Sequence, residues 1–372
     1  MAGESLTTIF NALPQLFDDD LIRQWNRTTV LLGEIQASAG VSEGKGKNVA
    51  FDVEFTGATA STVAEGADVA TTEYAQDLDI PAITSWATYR SSFQVTEQEL
   101  DAAFSSGPAG MPAALRDLFA SRILSSGASI ASQIENDSLI GTGVDNSGNP
   151  TIVGIYNAIA ASGSYLGINP LTYTEWVSTV ISNGGVSRAL TPDLIEQVDS
   201  GIFTASSQPW DLVMTSPGVA RKYNQFFTSG SAGTNSVPLV RMNDMAGRPV
   251  YGLSPVNDGQ MQYDTMFFKG RKVLRNRLNP VGELALLNTN FMKMKYLPAR
   301  ASVQRDIKNF LQTLGAQGSS GGMAPIQATG MQMRVAELAK TGDSLKVTMR
   351  ITCQLALTRR NAFGLLTNIS ET

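Results

Sequence analysis

The residues able to do chemistry are few, and histidine is not among them: none occurs in 372 residues. That removes Ser–His and Cys–His nucleophile pairs and every histidine-containing zinc site. An enzyme built from this chain would have to use carboxylates, Lys, Tyr, or a hydroxyl activated by Lys. Asp77 and Asp79, and Glu196 and Asp199, lie close in sequence, but no spacing singles out a general acid and its base. Gly44-Lys45-Gly46-Lys47 invites comparison with a phosphate loop. The earlier glycine is missing, with Ala39 and Val41 in its place, and no Ser or Thr follows either lysine, so the comparison fails. The run GTGVDNSGNP holds Asp145 and Asn149 as a calcium loop would, but it lacks the later bidentate Glu and reads as a turn. Cys353 falls on the dry side of an alternating strand and reads as a buried apolar thiol. Met292, Met294, Met331 and Met333 read as core or interface filler. No catalytic group, cofactor or metal is expected.

Composition narrows the alternatives. Net charge is −5, so a dedicated nucleic-acid reader with a concentrated basic face is not supported. The one basic run, Lys269, Arg271, Lys272, Arg275 and Arg277, reads as a solvated face. Charged residues make up only 16% of the chain, the low-charge surface that a large subunit interface needs. MAGESLTTIF has no basic segment leading into an apolar run, so no secretory signal is expected. No apolar stretch approaches the ~20 residues that span a bilayer, so no membrane partner is expected. A single cysteine excludes an internal disulfide and fits a reducing compartment such as a cytoplasm.

The elements that must position these residues follow from periodicity. Asp18, Asp19 and Asp20 precede LIRQWNRTTVLL, placing acids where a helix amino terminus favours them. Val49, Phe51, Val53 and Phe55 alternate with polar residues and write a strand. A return strand is expected from about Asp77 to Val95, with Tyr89, Phe93 and Val95 on one face. The stretch between them is rich in Gly, Ala and Thr and can bury little. An isolated two-stranded hairpin is marginal in water, and ordering each residue costs about 1–2 kcal/mol. Its tip is therefore either mobile or laid on a partner.

A long helix is expected from Pro112 to Ile140, with Leu115, Leu118, Phe119, Ile123, Ile130 and Ile134 at helical spacing and Gly141-Thr142-Gly143 as the stop. At about 1.5 Å per residue it would span roughly 43 Å. Ser125-Ser126-Gly127 interrupts its stripe, which predicts a bend or a small-residue contact. Residues 150–290 read as mixed α/β. Thr191-Pro192 opens a helix carrying Leu194, Ile195 and Val198, and Trp210 to Met214 reads as a buried strand. Ser216-Pro217 starts a further helix, and Val250, Tyr251 and Leu253 suggest a strand. After the glycine-rich loop Gly315–Pro325, LKVTMRITCQLAL alternates over seven apolar positions from Leu345 to Leu357, a long strand in a substantial sheet.

This order of elements resembles the major capsid proteins of tailed double-stranded DNA bacteriophages, with their α+β Hong Kong 97-type fold. The matching residues are Val63-Ala64-Glu65-Gly66, the helix ending in Gly141-Thr142-Gly143, and LVMTSPGVARKY. Leu338 to Asp343, the long strand and Arg360-Asn361-Ala362-Phe363 complete the likeness. It implies an amino-terminal arm over 1–45, an extension loop over 46–92, a first peripheral part with the spine helix over 93–148, an axial domain over 149–290 and a second peripheral part over 291–372. It also implies that the extension loop lies on an adjacent subunit, with Phe55, Val63, Glu65 and Tyr74 at the interface.

The partners implied are copies of the chain, as hexamers and pentamers of an icosahedral shell, with a portal and scaffolding or decoration proteins. The shell encloses DNA without reading its sequence, and the location is a virion assembled in the host cytoplasm. Some relatives cross-link an extension-loop Lys to an Asn on a neighbour; here Lys45 and Lys47 lie near the hairpin base and the tip has no Lys. The same fold also serves encapsulin-like nanocompartments, the nearest rival, and a carboxylate-dependent enzyme is the rival of another class.

Overall fold

The computed structural model describes residues 29–55, 79–96, 98–99, 111–228, 252–255, 264–298, 327–328, 331–332, 334–338 and 344–371. The acidic run at Asp18–Asp20 and the loop Gly315–Pro325 lie outside them. The described residues begin with helix α1 (Val30–Ala37) and strands β1 (Val41–Glu43), β2 (Asn48–Glu54), β3 (Asp79–Ser85) and β4 (Ala87–Thr96). Helix α2 (Met111–Ile140) follows, then β5 (Thr142–Val144), β6 (Pro150–Val153) and the short α3 (Ile155–Ala158). The middle holds β7 (Thr179–Ile181), α4 (Pro192–Ser206), β8 (Leu212–Thr215) and α5 (Pro217–Thr228). Next come β9 (Gly252–Pro255), β10 (Asp264–Phe268), β11 (Arg271–Arg275), β12 (Leu284–Leu287) and β13 (Met292–Tyr296). The chain closes with β14 (Gln327–Ala328), β15 (Met331–Gln332), β16 (Arg334–Leu338), β17 (Ser344–Leu357) and β18 (Gly364–Leu366).

Two sheets carry the body. The first is built around the fourteen-residue β17, which pairs with β4 along one side from Ser344 to Cys353. On its other side β16 and β13 lie end to end, and β1 adds to β13 in parallel. Val347, Met349, Ile351, Cys353, Leu355 and Leu357 are buried, as period-two alternation requires. Gln354 and Ala356 are buried too, so the far end of β17 is covered on both faces.

The second sheet runs β7-β18-β12-β8-β11-β10-β9. Its middle strands LVMT and LALL are buried throughout, because each face has its own core. Leu212, Met214, Ala285 and Leu287 join the core of α1, α2 and β17, while Val213, Leu284 and Leu286 join that of α4, Trp210 and Tyr223. Strands dry on both faces read as unbroken apolar runs rather than alternation.

Local signals set the helix ends. Thr191 Oγ1 accepts from Leu194 N at 3.3 Å ahead of Pro192, and α4 stops at Ser207 in the left-handed region with φ of 54°. Helix α2 runs unbroken through Ser125-Ser126-Gly127, where Ser126 and Gly127 are buried, so these residues make a close contact and not a break.

The structure departs from the sequence reading in two places. The expected single strand from Asp77 to Val95 is two strands in different sheets: β3 pairs with β2, β4 pairs with β17, and Trp86 lies between them. The carboxy-terminal β18 lies in the second sheet between β7 and β12, so the strands supplied by 149–290 are completed from beyond the long strand. Gly364 is needed there, since a Cβ would fall 2.4 Å from Val198 Cγ1 of α4.

Candidate functional site

The hairpin root is the feature that most needs a physical account. Strands β2 and β3 form a two-stranded sheet of seven Cα pairs, from Asn48↔Ser85 to Glu54↔Asp79, joined in register to no other strand among the described residues. Such a ribbon is stable only when one face is covered. Here Val49 and Ala82 are buried, and Phe51, Val53 and Ile80 pack against the larger core. Polar contacts fix its register on the body: Ile83 N donates to Leu166 O at 2.9 Å. Gln354 Nε2, from the covered end of β17, donates to Thr84 Oγ1 at 3.0 Å and Ser85 O at 2.8 Å.

Trp86 locks the corner. Its indole N–H donates to Gly46 O at 3.2 Å, and its ring sits so close to Gly44 that a Cβ there would lie 2.2 Å from Cη2. The glycines of Gly44-Lys45-Gly46-Lys47 thus serve an aromatic corner and a turn, with Gly46 at φ of 88°.

Phe55 ends the outgoing strand. Its ring stacks on Tyr173 at 4.7 Å between centroids and meets Trp176 edge-on at 5.8 Å. Within the subunit it is an aromatic anchor at the end of β2, whose last residue Glu54 pairs with Asp79 at the start of β3. Val63, Glu65 and Tyr74 lie outside the described residues.

The loop that receives Phe55 is pinned by Arg360, which is 1% exposed. Its Nε donates to Ala158 O at 2.8 Å, and its Nη1 donates to Gly163 O at 2.9 Å and Trp176 O at 3.1 Å. The guanidinium lies 5.6 Å from the Tyr165 ring, whose hydroxyl accepts from Leu357 N at 3.0 Å. Burial pushes the Tyr165 hydroxyl up to about 12. Carbonyl dipoles here solvate a buried charge.

Two buried acids on α2 were not foreseen. Glu135 accepts from Leu31 N, Leu32 N and Asn276 Nδ2. Burial raises its carboxyl above the ordinary range, with the backbone donors pulling the other way. Asp137 accepts from Tyr89 Oη at 2.9 Å and Gln133 Nε2 at 2.9 Å. Burial first, and the Asp137 charge second, push the Tyr89 hydroxyl far up. This pair lines a polar cleft of about 830 Å³ between Trp86, the end of α2 and the β5–β6 hairpin. The sequence signal for Glu135 was a carboxylate four residues before Leu139 on a buried stripe.

The other acids have structural work. Asp145 accepts from Ser147 N at 2.8 Å and Asn149 N at 2.7 Å, an Asx turn in the β5–β6 hairpin, and these bonds with Asn149 Nδ2 lower its carboxyl. Asp199 accepts from Trp210 Nε1 at 2.6 Å and Lys269 Nζ at 2.8 Å. The basic run is partly engaged: Arg271 lies 4.4 Å over the Trp210 ring and Lys272 pairs with Glu34 at 3.5 Å. Among the described residues no group of three acidic or thiol side chains is placed to hold a metal ion.

Comparison with known proteins gives a consistent result. The family described as SU10 major capsid protein matches residues 6–370. A comparison with curated proteins finds no match. Among solved structures, the cyanophage A-1(L) capsid asymmetric unit is similar at a TM-score of 0.67 and 17% identity, covering 95% of this chain and 96% of that one. The capsid of Myoviridae phage XM1 is similar at 0.51 and 13% identity, with 94% of each chain covered. The holo-SrpI encapsulin complex from Synechococcus elongatus PCC 7942 is similar at 0.51 and 12% identity, covering 97% and 95%. At these identities the likeness is one of fold, and the fold is of the Hong Kong 97 capsid type.

Proposed function

The chain belongs to the SU10 major capsid protein family, and from that membership we propose how its geometry builds a shell. It is a structural subunit of a tailed-phage capsid. In our reading the subunits form hexamers and pentamers of a closed icosahedral lattice, tied together by the 56–78 span and the amino-terminal arm crossing to neighbours. The shell holds double-stranded DNA by enclosure, and the subunit acts without catalysis. Assembly takes place in the host cytoplasm, with a portal and scaffolding or decoration proteins as further partners.

The observation that supports this reading is the hairpin root. A ribbon clamped by Phe55, Trp86 and Gln354 presents its two ends side by side at Glu54 and Asp79. A rigid base suits an arm whose apolar complement lies on another molecule. Obligate interfaces bury on the order of 2,000 Å² or more, enough to outweigh the ordering of the arm over 56–78.

Deleting Gly57 to Tyr74 tests it, because the root contacts stay intact. The deleted subunit should keep cooperative thermal unfolding and lose the ability to form particles in negative-stain electron microscopy. Normal particles from that variant would exclude the intersubunit role. The encapsulin-like alternative draws on the SrpI likeness. Microscopy of particles for a tail vertex and packaged DNA separates it from a phage head.

A further inference from the structure

Helix α1 has no cap of its own, since Thr29 makes no side-chain hydrogen bond to it. The cap comes from α2, more than a hundred residues away. Glu135 is fully buried and accepts from Leu31 N at 2.8 Å through Oε1 and from Leu32 N at 3.0 Å through Oε2. Carboxylate oxygens at a helix amino terminus meet its free N–H groups and its positive dipole end. The same Oε1 accepts from Asn276 Nδ2 at 2.8 Å, and Asn276 N in turn donates to Thr215 O at 3.0 Å at the end of β8. One carboxylate therefore joins α1, the long helix and the second sheet.

Burial of Leu31, Leu32 and Ile35 draws α1 onto the core, but apolar contact is non-directional. Two hydrogen bonds from α1 to one fork, itself held by Asn276, define where α1 sits and how it is rotated about its axis. Resting on the capsid reading above, we propose that Glu135 is a positioning residue for assembly. It sets the axis of α1, the point from which residues 1–28 start, and couples that axis to the seven-stranded sheet.

Full-length wild type, Glu135→Gln and Asn276→Ala test this. Glutamine keeps the volume but sets an N–H₂ group against a backbone N–H. Three quantities are read: thermal unfolding, amide hydrogen exchange at Leu31 and Leu32 in unassembled subunits, and the assembled fraction by sedimentation. Glu135→Gln should still unfold cooperatively, exchange at Leu31 and Leu32 about tenfold faster or more, and assemble to a correspondingly smaller fraction. Asn276→Ala leaves both α1 bonds in place, so it should reduce assembly with little change in exchange.

Wild-type exchange in Glu135→Gln overturns the proposal, as does faster exchange with undiminished assembly. If Glu135→Gln fails to fold, Asn276→Ala decides: wild-type assembly there overturns the coupling. A wild-type chain that forms no particles defeats the shell reading instead, and the exchange data then decide whether Glu135 holds α1.

Discussion

At Arg360 backbone carbonyls stand where a carboxylate would usually be, because Ala158, Gly163 and Trp176 all turn their oxygens toward the guanidinium. Arg360→Leu should lose about 3 kcal/mol or more in a urea titration, since it leaves several buried acceptors unmatched; a loss under about 1 kcal/mol would contradict this account. Lysine should not rescue it, because a point ammonium cannot reproduce the planar fork. Glu135 gives a pH-dependent expectation. Its carboxyl is raised in the folded chain, so the native state holds the proton more tightly than the unfolded chain does. Its contribution is thus fully present below the ordinary carboxyl range and is lost as pH climbs through the raised value. Relative to Glu135→Gln, wild-type stability should fall as pH rises across that window in a series of thermal melts, and a constant difference would refute it. On α1 the charged contact is Glu34 with Lys272 at 3.5 Å. Arg360 and Glu135 could be seen in the sequence only as charges, one between Arg359 and Asn361 and the other beside Asn136 and Asp137, with nothing to mark them as buried. Their partners could not, because carbonyls and amides belong to the backbone and carry no residue-type signal.

The elements were legible in proportion to their length and periodicity. Strand β17 announced itself through seven alternating apolar positions, and α2 through its stripe, its early proline and Gly141. Val347→Asp follows from that pattern. Val347 is 3% exposed on the dry face beside Phe93 of β4, and an unpaired charge there should cost more than about 4 kcal/mol. Circular dichroism and solubility should report failure to fold, and a soluble, cooperatively melting variant would contradict it. The break at Trp86 was illegible. The inward positions shift from even numbers in β3 (Ile80, Ala82) to odd numbers in β4 (Ala87, Tyr89, Val95) across Trp86, a change of phase that side chains as small as Ala82 and Ala87 hide in the sequence. Strand β18 was illegible for a different reason: Gly-Leu-Leu is too short to alternate, and Gly364 matters only because α4 lies against it.

For the whole molecule, the order of elements was more informative than any motif. That order resembled the capsid fold, which the family match across 6–370 bears out. The span holding Val63, Glu65 and Tyr74 stays a proposal tested by its deletion. A chain ending at Phe363 should fail as a subunit, because β18 fills an interior position of the second sheet; it should be recovered insoluble, and a soluble product with wild-type melting would argue against the shared strand. Strands β17 and β18 both sit inside their sheets, yet both are made after the strands they join. A nascent chain emerging from the ribosome therefore carries two half-built sheets with open edges, and each closes only when a late-translated segment slots between early ones. Chaperone dependence during synthesis, rather than weakness of the finished subunit, is the vulnerability that this wiring creates.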